Sequence, residues 1–131
     1  MRAVVMRGSE LMIEDMAVPE PTEGEVLVKT LACGICGSDL HALKFAQQMS
    51  EASEQAGGSM AMDLSRGVVM GHEFCAEILE HGPGTTQAHA VGTRVCSVPM
   101  TFRGGEMKAV GYSDEVPGGY AENMVLSESM L

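Results

Sequence analysis

The placement of glycine constrains this chain more than any other feature. Its 131 residues include 16 glycines, and these fall between short β-branched runs rather than inside long apolar-periodic stretches. Turn formers at that density favour short strands and tight connections over long packed helices. The punctuation marks out strands at residues 3–6, 10–16, 25–31, 74–80, 92–98 and 120–126. Residues 25–31, E-V-L-V-K-T-L, carry the strongest β signal. They run directly into A-C-G-I-C-G-S-D-L-H, where Gly34 and Gly37 permit a turn. Ser38 or Asp39 then caps a short helix ending near residue 43. A second short helix is predicted over 45–55, a mobile surface loop over 56–65 and an irregular stretch over 100–119. Six or seven short strands with one or two short helices give a mainly β chain, a barrel or a sandwich.

Composition narrows the function. The chain is 45% hydrophobic and 20% charged, ordinary globular values, and its length suits one domain over 1–131. Acids outnumber bases 18 to 8, for a formal charge of −10. That balance disfavours nucleic acid and anionic membrane surfaces, which need a cationic face. Three Phe, two Tyr and no Trp leave little to stack on bases. No apolar run approaches a secretion signal or a membrane span, so the expectation is a cytoplasmic protein. The four cysteines then read as thiols or metal ligands rather than as a disulfide framework. The 12 methionines read as flexible core filler.

Two positions carry the candidate chemistry. Cys36 follows a glycine turn at a strand end, and His72 lies between Gly71 and Glu73. Thiolate and imidazole nitrogen suit zinc, and a catalytic zinc needs three protein ligands with one position open. Taken singly, each has a plainer reading. Cys36 serves equally as a small buried apolar residue, and His72 as a hydrogen-bonded bystander. Ser38 and Asp39 serve as helix caps, His41 as a surface imidazole and Glu73 as a solvated acid. Cys33-x-x-Cys36 lacks the βαβ context of a redox pair, and Cys75 and Cys96 stand too far apart for a zinc knuckle. Cys33 is therefore expected without a ligand role and Cys75 in the core. An H-E-x-x-H protease site is excluded because Ala76 occupies the second histidine position.

In combination these motifs point further. G-I-C-G-S-D-L-H at 34–41, G-H-E-F at 71–74 and P-G-G-Y-A-E at 117–122 resemble the zinc-dependent alcohol dehydrogenases of the medium-chain dehydrogenase/reductase superfamily. The likeness is to their N-terminal GroES-like catalytic domain, a partly open β-barrel. The E-V-L-V-K strand and the E-H-G-P-G-T turn stand in the expected order. The resemblance implies that Cys36 and His72 are catalytic-zinc ligands and that Asp39 is the carboxylate behind the imidazole. It implies that Glu73 is an acidic neighbour able to ligate transiently. Ser38 would bond the substrate oxygen, and His41 would be the outer member of a proton relay with a ribose contact. Substrates would be small alcohols or carbonyls, the cofactor NAD or NADP, and the whole enzyme a homo-oligomer.

Three departures from the family pattern bear on function. Many relatives carry a structural-zinc lobe of four close cysteines, whereas Cys96 stands alone here, so one catalytic zinc and no structural zinc is expected. The family's third zinc ligand and its Rossmann cofactor domain lie farther along the chain, and these residues hold no G-x-G-x-x-G. A polar, Gly-Ser-containing insert at 44–66 lengthens the span from Cys36 to His72 and would lie beside the substrate entrance. The expectation is the catalytic portion of an alcohol or polyol dehydrogenase, inactive as these 131 residues alone. The alternative is a non-catalytic GroES-like β-barrel that binds partners.

Overall fold

The structure is a computed structural model that describes residues 1–57 and 62–131. Strands β1 (Arg2–Arg7) and β2 (Glu10–Asp15) form an antiparallel hairpin. Strand β3 (Glu25–Cys33) pairs antiparallel with both β4 (Phe74–His81) and β8 (Asn123–Ser127). With β5 (Arg94–Val95) on the outer edge of β4, the sheet order is β5-β4-β3-β8. A second hairpin joins β6 (Met100–Arg103) to β7 (Glu106–Ala109). The sheets do not close on one another, so the described residues form a partial GroES-like barrel, mainly of strands.

Alternation along β3 and β4 explains the main core. Val26, Val28, Phe74, Ala76 and Ile78 point inward with Met124 and Leu126 of β8. The register slips twice, leaving Leu79 and Leu31 unpaired as bulged residues. Both are large apolar side chains exposed to solvent. The second slip comes two residues before Cys33 and turns the strand end toward the candidate site. Cys75 lies on the opposite face of β4 from the core and is half-buried, which corrects its expected core position.

The helical region matches its sequence, except that its two pieces run on through a kink. Helix α1 runs Gly37–Gln55 as one element, with non-helical backbone at Phe45 where two short helices were expected. Its buried stripe is Asp39, Ala42, Ala46, Ser50 and Ser53, at helical spacing but made of small or polar residues. A stripe of that kind produces little apolar periodicity, yet the two expected helices are there, meeting at the non-helical backbone of Phe45. It packs its small residues against Met6, Val68, Met70 and Tyr112.

Part of the loop expected over 56–65, residues 58–61, lies outside the described residues. Where the described chain resumes, Met62 is buried, and both its backbone groups bond the Ser50 hydroxyl at 3.0 and 3.1 Å.

Two further expectations change. The strand expected at 92–98 shrinks to Arg94–Val95. The stretch expected to be irregular holds β6 and β7, joined through Gly104 and Gly105 at φ +63° and +82°. Two adjacent residues at positive φ are what a tight hairpin turn requires, and paired glycines meet that demand without strain. Of the methionines, Met6, Met62, Met70 and Met124 are core residues, while Met12, Met16 and Met107 are exposed. No helix among the described residues is long and apolar enough to cross a membrane.

Candidate functional site

Three backbone segments converge at one end of the β3–β4 pair. The first is the turn leaving β3: the Gly34 amide donates to the Glu73 carbonyl at 2.7 Å, holding the Cys33–Cys36 turn against the start of β4. A side chain at Gly34 would meet the Glu73 carboxylate at 2.9 Å, so glycine leaves that acid its place. The second is the Gly71–His72 strand entrance, with Gly71 at φ +97°. The third is the segment through 117–122, whose amides at Gly118, Gly119 and Tyr120 donate to the carbonyls of Val69, Gly71 and Met70. A Cβ on Gly118 would strike backbone of Met70 and Gly71. Gly71, Gly118 and Gly119 thus act as backbone-to-backbone contacts that set His72.

The convergence produces a donor cluster. One ligand atom each from Cys36, His72 and Glu73 lies within 4.8 Å of the others. Cys36 and His72 are half-buried, and Glu73 is exposed. Thiolate, imidazole and carboxylate are the donors zinc accepts. His72 is held from two sides. Its Nε2 stands 3.4 Å from Ser38 Oγ, and its Nδ1 stands 3.4 Å from Asp39 Oδ1. That second approach lies within ion-pair distance but lacks hydrogen-bond geometry, and the buried Nδ1 has no hydrogen-bond partner. A slight turn of the ring would supply one. An imidazole backed by a carboxylate at one nitrogen and open toward the cluster is suited to ligating a metal ion.

Asp39 is the hub behind the cluster, and it is 2% exposed. Its Oδ2 accepts the Cys36 amide at 2.9 Å, which closes the start of α1. Cys36, not Ser38 or Asp39, holds the N-cap position, but Asp39, three positions inside, completes a capping box with it. Tyr120 Oη also donates to Oδ2 at 2.9 Å, and Tyr112 Oη donates to Oδ1 at 3.1 Å. The Tyr112 and His72 rings are 5.1 Å apart. Burial, with the Asp39 charge, pushes the Tyr112 hydroxyl up to about 12 and Tyr120 higher still, so both remain donors. Neither tyrosine was singled out from the sequence for a role. The available signal was their rarity, since the chain has only two, both beside glycines.

His41 is exposed, and its ring stacks on Phe45 at 4.7 Å. The structure brings Cys36, Ser38, Asp39, His72 and Glu73 together and leaves His41 one helical turn away on α1. Cys33 lies near by with its thiol against the Gly34 carbonyl, and burial pushes that thiol up, away from the thiolate form.

The family model for the alcohol dehydrogenase GroES-like domain matches residues 22–131. The chain belongs to the alcohol dehydrogenase GroES-like family. Among curated relatives of this family, L-threonine 3-dehydrogenase of Xanthomonas campestris pv. campestris is 32% identical over the whole chain and 39% of that protein. (R,R)-butanediol dehydrogenase of Bacillus subtilis is 29% identical over 93% of the chain and 36% of its own length. A solved NAD-dependent alcohol dehydrogenase superposes at a TM-score of 0.73, with 28% identity, over 99% of this chain and 38% of that one. The chain therefore spans less than two-fifths of the length of the relatives it matches.

Proposed function

We propose that this chain provides the zinc-binding catalytic portion of an alcohol or polyol dehydrogenase that transfers hydride to NAD or NADP. The observation that carries the reading is the convergence of Cys36, His72 and Glu73 within 4.8 Å, with Ser38 against His72 Nε2. Family membership and the dehydrogenase names of the relatives support it. A barrel kept only for binding needs no thiol, imidazole and carboxylate at one point.

The donor set fits zinc, with Cys36 and His72 as ligands and Glu73 as the acidic neighbour that can enter the coordination shell. The bound ion supplies a Lewis acid that polarises an alcohol or carbonyl oxygen and lowers the alcohol's pKa. The protein's own residues do the rest. Asp39 backs His72, fixing the imidazole's orientation and raising its basicity. Ser38 Oγ bonds the substrate hydroxyl and takes its proton, and His41, three residues on along α1, passes that proton toward solvent. Bound NAD or NADP would supply the acceptor for hydride from the substrate carbon. The family resemblance also gives His41 a contact with the ribose of a bound cofactor.

Metal analysis of the full-length protein, with Cys36→Ser and His72→Ala variants, tests the assignment. Wild type is expected to carry zinc and to reduce NAD(P) when an alcohol is added. Each variant is expected to lose the metal and at least about a thousandfold in kcat, several kcal/mol of transition-state stabilisation. Alcohol oxidation that survives in metal-free variants would overturn it.

A further inference from the structure

We propose that Tyr112 and Tyr120 are positioning residues, which aim the Asp39 carboxylate at His72 and thereby hold the imidazole with its proton on Nδ1. The inference rests on the zinc reading only for the purpose of that tautomer; the tautomer itself belongs to the metal-free chain.

The argument is one of acceptor places. An ionised carboxylate offers about four lone-pair sites. Three of those on Asp39 are taken: the Cys36 amide and Tyr120 Oη on Oδ2, and Tyr112 Oη on Oδ1. The place left is on Oδ1, and the group facing it is His72 Nδ1 at 3.4 Å. That nitrogen is buried and without a hydrogen-bond partner, so the open acceptor and the open donor face each other. With a slight turn of the ring, a proton on Nδ1 would satisfy both and leave the Nε2 lone pair directed to the Ser38 side. No lysine or arginine is paired with this carboxylate among the described residues, so its orientation depends on the Cys36 amide and the two tyrosine hydroxyls.

The tyrosines are well placed to hold that geometry. Tyr112 is buried and stands against the His72 ring, at 5.1 Å between centroids with a 40° tilt. Tyr120 is anchored through its own amide to the Met70 carbonyl, on the segment that leads into His72. Their hydroxyls reach Asp39 from 73 and 81 residues away in sequence. One stretch of chain thus sets both the His72 backbone and the carboxylate behind it.

The test uses full-length protein labelled with 15N-histidine, in which long-range proton–nitrogen spectra read the His72 tautomer without metal, and a Zn2+ titration measures affinity. Wild type is expected to show His72 protonated on Nδ1. Tyr112→Phe and Tyr120→Phe, which keep the ring, are each expected to give a mixture of tautomers and to weaken Zn2+ binding about tenfold. An unchanged tautomer in both variants overturns the inference and leaves the zinc reading standing. A tautomer shift in a protein that takes up no Zn2+ supports the inference and sinks the zinc reading. Should a phenylalanine variant fail to fold, replacement of both tyrosines by 3-fluorotyrosine keeps the hydroxyls and supplies 19F signals. Those signals are expected to move when Zn2+ is added, and their silence in protein that binds Zn2+ overturns the inference.

Discussion

Two carboxylates among the described residues are almost wholly buried, and they are managed in opposite ways. Glu25, at the start of β3, is 1% exposed and meets a cation, with Arg103 Nη2 2.8 Å from its Oε2. Thr22, through its amide and its hydroxyl, bonds the same oxygen, and Thr101 bonds the other. Burial alone would push this carboxyl up, but Arg103, Thr22 and Thr101 together outweigh it and hold it below its ordinary range. Asp39 has no arginine or lysine partner among the described residues, only an amide, two hydroxyls and an imidazole. The neutralised carboxylate ties β3 to the loop before it and to β6, a structural task. The other keeps its charge available to the imidazole beside it. Pairing with a cation marks the acid that holds the fold, and pairing with neutral donors marks the acid at the site.

Breaking Glu25 should have the largest effect on folding and none on the site. Glu25→Ala is expected to destabilise the chain by about 3 kcal/mol, since it strands a largely buried arginine. Urea unfolding should show it, with the Zn2+ affinity of the folded fraction unchanged. Gly71→Ala should cost about 2 kcal/mol, because φ there is +97° and a Cβ would meet Tyr120 and the Cys33 sulfur below 3 Å. Unlike the Glu25 change, it should also weaken Zn2+ binding, because it moves His72.

Asp39→Asn should invert the first pattern: about tenfold loss of Zn2+ affinity, with a smaller loss of stability. The distinction extends to pH. The depressed Glu25 carboxyl contributes stability that is fully present above its unfolded value, near 4.5, and that disappears as pH falls through the lower folded value. Below pH about 4.5, thermal melts of wild type should lose stability faster than those of Glu25→Gln. The smallest effect belongs to the exposed Arg2–Glu122 pair, whose removal by Arg2→Gln should leave the melting temperature nearly unchanged.

Legibility in the sequence followed the size of the side chains that do the packing. Strands β1, β3 and β4 were readable because short runs of Val, Ile and Leu stand between turn residues. Helix α1 was readable only as two short pieces, because Ala and Ser fill its buried stripe. The β6–β7 hairpin carried a usable signal in Gly104-Gly105, but neighbouring glycines masked it. At the site, Cys36, His72 and Glu73 were legible from two short motifs, as was the place of Asp39 beside the imidazole. The tyrosines were not, since a hydroxyl that reaches Asp39 from 73 residues away has no local pattern.

The amino-acid order by itself determined where strands can start and stop, which residue types could meet a metal, and the family to which their motifs are similar. Those properties are local, written in side-chain shape and in the freedom of glycine. Only the tertiary structure decided which carboxylate meets a cation, which meets hydroxyls, and how Gly71, Gly118 and Gly119 let three backbones approach closely enough to aim His72. Such choices rest on contacts between distant segments, whose free energy appears only when the chain has closed around them.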